Sequence, residues 1–386
     1  MTTDGPEDDP AGHARALSHA ERVVSVPYVA PKRGSVGFAA ALAGSWCSSL
    51  PVDLWKWRVA ALRRRAAELM AEKPFDVVVA DFLFAEPNVP RDGKTPVVLF
   101  EHNVEFMIWK RLAAQERSWF KRALLEIEWR KLRRYEGRAC ERANLTIAVS
   151  EEDRAMLAPL AGNSPVASVP TGVDTDYFTP NPAREVPNRL VFSGAMDWHP
   201  NEDAMAHFVD EILPRIRARV PDVTLTIIGR NPSARVKALA NQPGVTVTGT
   251  VADVRTHVAE GSLYVVPLRV GGGTRLKILE ALSQGKPVLS TTIGAEGLAL
   301  DPGKNIEIAD DPQLFADRTV ALLGDAARRA ELSSAGRAVV EEKFSWTFVA
   351  RQFEARMCEA PVDGQRVLGE RAFTTRLKEA RVEGRD

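Results

Sequence analysis

Between residues 189 and 310 short apolar runs recur, and the stretches between several of them carry apolar positions every three to four residues. The runs are RLVFSGAM (189–196), VTLTIIGR (223–230), VTVTGTV (245–251), LYVVPL (263–268), PVLSTT (287–292) and NIEIAD (305–310). Helices are predicted around 202–220 and 253–260, with a short one after residue 230 and another from about residue 274. Continuous apolar runs, as opposed to alternating ones, suit strands buried on both faces. Alternation with helices therefore predicts a parallel sheet covered on both sides. Such sheets bind ligands beyond the carboxyl ends of their strands, where loops lead into helices.

The first half repeats the pattern less completely. RVVSVPYV (22–29), FDVVVADF (75–82), PVVLFEHN (96–103) and LTIAVS (145–150) read as strands, with a helix over 54–72 and a long one over 104–142. A Pro-, Thr- and Asp-rich stretch, 169–187, reads as a connector. Helices over 326–343 and 346–359 follow it, and the tail after residue 361 is charged and poorly patterned. The expected architecture is α/β, two Rossmann-like domains facing across a cleft. Residues 1–180 form the first domain, 181–345 the second, and 346–386 a terminal helix with a charged tail.

Composition narrows the function classes. At 386 residues the chain suits two domains, and 45% hydrophobic with 26% charged residues is ordinary for a soluble protein. Lys+Arg and Asp+Glu balance at 51 each, so bulk charge gives no support to a nucleic-acid partner. Cys47, Cys140 and Cys358 are odd in number, far apart and without metal-ligand spacing, which points to a reducing, cytoplasmic setting. The start, MTTDGPEDDP, is too acidic for a signal peptide.

The densest chemistry lies in VGGGTRLKILEALSQGKPVLSTTIGAEGL, residues 270–298. Gly271, Gly272, Gly273 and Thr274 separate a buried strand from a helix, so backbone amides and a helix N-terminus are available to an anion. At 100° per residue Ile278, Leu279 and Leu282 share the buried face, while Lys277 and Glu280 lie on roughly the opposite side. Arg275 stands in the first turn. Two readings stay open on these residues alone. One is a diphosphate cradle with two cations and a carboxylate for vicinal hydroxyls. The other is a surface helix with a glycine-rich entry and a weak i,i+3 pair. The stretch is neither a Walker A motif nor a G-x-G-x-x-G fingerprint.

GGGTRLKILEALSQGKPVLSTTIGAEGL resembles the donor-site signature of the GT-B retaining glycosyltransferases of the "group 1" (family 4-like) class, in particular bacterial exopolysaccharide and lipid-linked glycan transferases. VFSGAMDWHPNEDAMAHFVDEILPRI, VPTGVDTDYFTP and FEHNVEF are similar to the same group and occur in the same order. The resemblance implies that Arg275 and Lys277 hold the diphosphate of a nucleotide sugar and Glu280 its ribose hydroxyls. Gly194 and Asn201 would approach the phosphates from the other wall, and the segment ending at Val251 would seat the base. His102 would contact the transferred sugar or support the leaving group, and Glu296 would reach hydroxyls of the donor sugar. Many relatives carry a second glutamate where this chain has Gly272. No Asp-x-Asp motif accompanies these residues, so no metal is expected, and the cations and helix dipole would stabilise the leaving diphosphate. Transfer would proceed with retention, to a saccharide, lipid-linked or small-molecule hydroxyl.

Residues 106–142 are basic and carry Trp109, Trp119, Phe120 and Trp129. They read either as a peripheral contact with an anionic inner-membrane face or as aromatics packed on the sheet. Relatives begin with a further strand, glycine-rich loop and helix, so this sequence is expected to start about one β-α-β portion of roughly 30 residues late. A second functional reading is a degenerate protein of the same fold that binds a nucleotide sugar or a partner transferase without catalysis.

Overall fold

The computed structural model describes residues 2–4, 20–32, 34–270, 275–359, 361–362 and 365–366. The loop residues Gly271, Gly272, Gly273 and Thr274 therefore lie outside the described residues. In the first half, β1 (Thr2–Asp4) and β2 (Ser25–Pro27) form a parallel pair of their own. A separate sheet holds β3 (Val78–Asp81), β4 (Val97–Glu101), β5 (Leu145–Ala148) and β6 (Val166–Ser168), adjacent in that order and all parallel. The strand predicted over 22–29 is thus reduced to β2, and it pairs with β1 instead of joining β3.

In the second half, β7 (Arg189–Ser193), β8 (Thr224–Ile228), β9 (Val245–Val247), β10 (Leu263–Val266), β11 (Val288–Ser290) and β12 (Glu307–Ile308) form one parallel sheet. Its order is β12-β11-β10-β7-β8-β9, the doubly wound Rossmann order with its switch point between β7 and β10. Every residue of β10 and β11 is buried, as the continuous apolar runs require. Each half has its own core. One is built on Leu54, Leu83, Leu99 and Leu132, the other on Phe192, Ile227, Val265 and Leu282.

By internal contacts, one unit comprises Met1–Ser168 with Phe353–Asp386, and the other Val169–Gln352. The connector stretch belongs to the second unit. Arg337 donates to the carbonyls of Phe178 (2.8 Å) and Thr175 (3.1 Å).

Several predicted helices are divided, for local reasons. The 54–72 segment splits into Val52–Lys56 and Ala60–Glu72 because Asn88 occupies the gap. Asn88 accepts from Val59 N (2.8 Å) and donates to Trp57 O (2.8 Å). The 104–142 segment splits into Glu105–Gln115 and Trp119–Arg142 at an extended Glu116, whose carboxylate accepts from Ser118 N (2.8 Å). The 202–220 segment runs as His199–His207, a π turn Phe208–Ile212 and Leu213–Arg217. Pro214 has no N–H to continue the helical ladder there. Helices Val36–Trp46 and Pro312–Gly324, and strand β6, had no clear signal in the pattern. Of the four aromatics in 106–142, Trp109 and Trp129 pack against the first core, whereas Trp119 and Phe120 are exposed.

Candidate functional site

The switch point is assembled from the exits of β7, β8, β10 and β11. After β7 the chain turns at Gly194, whose N–H donates to Ile228 O (3.0 Å) at the end of β8. A Cβ on Gly229 would stand 1.7 Å from Gly194 O, and one on Gly194 would stand 2.7 Å from Asn201 Nδ2 and 2.8 Å from Lys277 Nζ. The Gly229 contact is with backbone and admits only glycine, whereas a Cβ on Gly194 would meet the ends of two side chains. The helix His199–His207 then presents Asn201, which donates to Ala195 O (2.9 Å) and accepts from Lys277 Nζ (2.7 Å).

Lys277 lies in the first turn of the helix Leu276–Ser283. Its ammonium lies 4.2 Å from the centroid of the Phe192 ring, a cation–π contact. Burial pushes its pKa down to about 7, the Arg275 charge pushes the same way, and Glu280 pulls against both. Burial raises the Glu280 carboxyl, and Lys277 opposes that rise. Lys277 therefore faces inward onto Asn201 and Phe192, not out to solvent as an isolated helix wheel would place it. Ile278, Leu279 and Leu282 are fully buried, as the same wheel requires.

Arg275 occupies the N-cap position, and its side chain makes no capping hydrogen bond to this helix start. Its guanidinium is buried, reaches Ile293 O at 3.3 Å and stands 3.9 Å from the half-exposed carboxylate of Glu296. Thr291 ties the two strand exits together by donating to Leu268 O (2.5 Å) and accepting from Gly294 N (2.9 Å). A Cβ on Gly294 would stand 2.3 Å from Ser290 Oγ. Beneath the site, Tyr264 on β10 joins Ser193 on β7, with 2.6 Å between the two hydroxyl oxygens.

The structure thus brings Gly194, Asn201 and Lys277 into one contact group, with Arg275, Glu280 and Glu296 beside it. Val251 lies apart, beyond β9. That strand is two positions from β7, roughly 10 Å at the usual strand spacing. Gly229, whose lack of a side chain admits Gly194, and Phe192, beneath Lys277, were not singled out by the sequence. A glycine directly after the buried strand β8 was the available signal for the first.

His102 lies in the other unit, one residue past β4. Its Nε2 lies 2.6 Å from Asp81 Oδ1 at the end of β3, a partner the sequence reading missed. Behind it, Glu136 caps the helix Glu105–Gln115 by accepting from Glu105 N (2.8 Å) and Phe106 N (2.9 Å). Burial pushes the Glu105 carboxyl up to about 7 and that of Glu136 up to about 8, the latter helped by the Glu105 charge. Glu101 is buried and raised well above the usual range by desolvation and by its carboxylate neighbours.

Two structures share this fold over most of the chain. Sucrose-phosphate synthase from Thermosynechococcus elongatus superposes with a TM-score of 0.62 at 16% identity, over 86% of this chain and 82% of that one. Anabaena Alr3699/HepE, solved with UDP and glucose, gives 0.60 at 16% identity over 90% and 89%. Two Rossmann-like units with these likenesses define the fold as GT-B. Residues 5–177 match the family "Glycosyltransferase Family 4" and residues 187–325 "Glycosyl transferases group 1". Between them the two glycosyltransferase models cover most of the chain, and it is a glycosyltransferase enzyme. It is 26% identical, over 83% of its length and 93% of the relative's, to a GDP-mannose-dependent alpha-(1-6)-phosphatidylinositol monomannoside mannosyltransferase of Mycobacterium tuberculosis. It is 27% identical, over 53% and 57%, to a phosphatidyl-myo-inositol mannosyltransferase of the same organism.

Proposed function

We propose that this glycosyltransferase takes a hexosyl group from a nucleotide-diphosphate sugar and delivers it to a hydroxyl of a saccharide or lipid-linked acceptor, with retention. The observation that carries the donor assignment is the pair of cations at the β10 exit. Arg275 is buried, and Lys277 is held inward by Asn201 under a glycine. Two cations converging beside the first turn of a helix suit an anion with several oxygens, and a diphosphate supplies one. Glu280 then accepts from the ribose hydroxyls and Glu296 from the sugar, while the backbone around Val251 seats the base.

As the sugar–phosphate bond breaks, charge grows on the departing diphosphate. Arg275, Lys277 and the helix dipole stabilise that charge more than they stabilise the ground state. His102 is assigned a substrate hydroxyl. The mycobacterial relatives make GDP-mannose the first donor to test and an inositol-containing glycolipid the first acceptor. No described helix is long and apolar enough to cross a membrane. A lipid acceptor would instead be met by peripheral contact at the inner membrane face, through exposed Trp119 and Phe120 with Lys110, Arg117, Lys121 and Arg122. The deciding experiment is transfer of labelled sugar from GDP-mannose and from UDP-sugars to a lipid extract, with Arg275→Ala alongside. Transfer that Arg275→Ala abolishes is expected. Donor binding unaffected by that substitution would overturn the site.

A further inference from the structure

We propose that Asp81 is a positioning residue for the transfer reaction: it fixes the His102 imidazole as the Nε2–H tautomer and leaves Nδ1 to accept from a substrate hydroxyl. The inference rests on the reading that His102 meets substrate. A carboxylate can only accept, so at 2.6 Å from Asp81 Oδ1 the proton lies on Nε2. Among the described residues Nδ1 has no partner. The ring is also held in plane. Phe82 stacks on it with centroids 3.8 Å apart and planes 13° apart, and Phe100 packs at 4.3 Å.

Backbone geometry makes this arrangement specific. β3 and β4 run parallel with Asp81 opposite Phe100, so the carboxylate and His102 emerge together at the carboxyl edge of the sheet. Phe82 adopts φ +70°, a region that bulky residues rarely occupy, and in that conformation its ring lies on the imidazole. The titratable groups that act on the ring are Asp81 on β3 and, on its own segment, Glu105. A neutral Nδ1 pairs with an O–H donor. An ionised phosphate oxygen offers none, so His102 is directed to a sugar or acceptor hydroxyl and not to the diphosphate.

The test uses the full chain labelled with 15N-histidine, with the His102 resonances identified among the six histidines by their loss in His102→Gln. The expected spectrum at neutral pH shows His102 neutral and protonated on Nε2, and Asp81→Ala loses that preference. In the transfer assay Asp81→Ala is expected to lower kcat at least about tenfold with the KM for nucleotide sugar little changed, and Asp81→Glu to restore part of the loss. A wild-type imidazolium or Nδ1–H tautomer would overturn the proposal, as would an unchanged tautomer in Asp81→Ala. Full transfer by His102→Gln with the tautomer confirmed would instead overturn the reading that His102 meets substrate, and Asp81's role with it.

Discussion

Lys277 Nζ meets Asn201 Oδ1 at 2.7 Å, linking the first turns of two helices that are 76 residues apart in sequence. The contact holds an ammonium inside the protein over an aromatic face, at the exit of the two strands that flank the switch point. Its first consequence is a pH dependence of donor binding. Free Lys277 titrates near 7, and a diphosphate placed beside it favours the charged form and raises that value. Affinity for an intact nucleotide sugar should therefore fall as pH rises from about 7 to 8.5, with proton uptake on binding. Calorimetry in buffers of differing ionisation enthalpy measures that uptake, and Lys277→Met should remove it.

The two loop glycines should separate binding from folding. A methyl on Gly194 meets side-chain ends, Asn201 and Lys277, which can shift. Gly194→Ala is expected to weaken nucleotide-sugar binding by about tenfold, some 1.4 kcal/mol, with a small change in melting temperature. A methyl on Gly229 meets the Gly194 carbonyl at 1.7 Å, which cannot move without its strand exit. Gly229→Ala should cost about 1–3 kcal/mol of stability in denaturant titrations. Equal effects of the two substitutions on stability would contradict this division.

Tyr264→Phe tests the floor of the site. The Tyr264 hydroxyl accepts from Ser193 N (3.1 Å) and is bonded to Ser193 Oγ, all three groups being buried. Removing it strands two polar groups, so a loss of about 1–3 kcal/mol is expected. Adding Ser193→Ala should recover part of it.

In the first unit the carboxyls of Glu105 and Glu136 have folded values near 7 and 8, above the ordinary value of 4.5. Between these limits the native state holds more protons than the unfolded chain. Their contribution to stability is therefore complete below about pH 4.5 and is lost as pH rises through 7 and 8. Six of the eight tryptophans (46, 55, 57, 109, 119 and 129) lie in Met1–Ser168, so tryptophan fluorescence reports chiefly on this unit. Its denaturation midpoint should fall from pH 6 to pH 9, and Glu101→Gln should flatten the trend. A midpoint that rises with pH would refute the assignment.

For the lipid contact, Trp119→Ser with Phe120→Ser should reduce co-sedimentation with anionic phospholipid vesicles several-fold while leaving donor binding intact. Neutral vesicles should bind weakly in either case. Equal binding of wild type and double variant to anionic vesicles would dismiss this surface.

The strand runs and the resemblance of 270–298 made the second domain legible, because both faces of each buried strand must be apolar and the donor motif is contiguous. Ile278, Leu279 and Leu282 were placed on the buried face from spacing alone, and they are there. The inward turn of Lys277 was not readable. A helix wheel counts angles, while the depth of a side chain depends on Gly194 and Phe192, which arrive from another strand. The helix breaks at Asn88 and Glu116 were hidden for a related reason. Apolar periodicity continues on both sides of a break, and the polar group that fills it comes from tertiary contact in one case and from a local turn in the other. By itself the sequence determined the parallel α/β architecture, the class of enzyme and the candidate donor motif, since each rests on short-range pattern. Only the tertiary structure decided which cation is buried, which glycines must stay bare and that Asp81 faces His102. Those are distances between segments, and the chain order does not contain them.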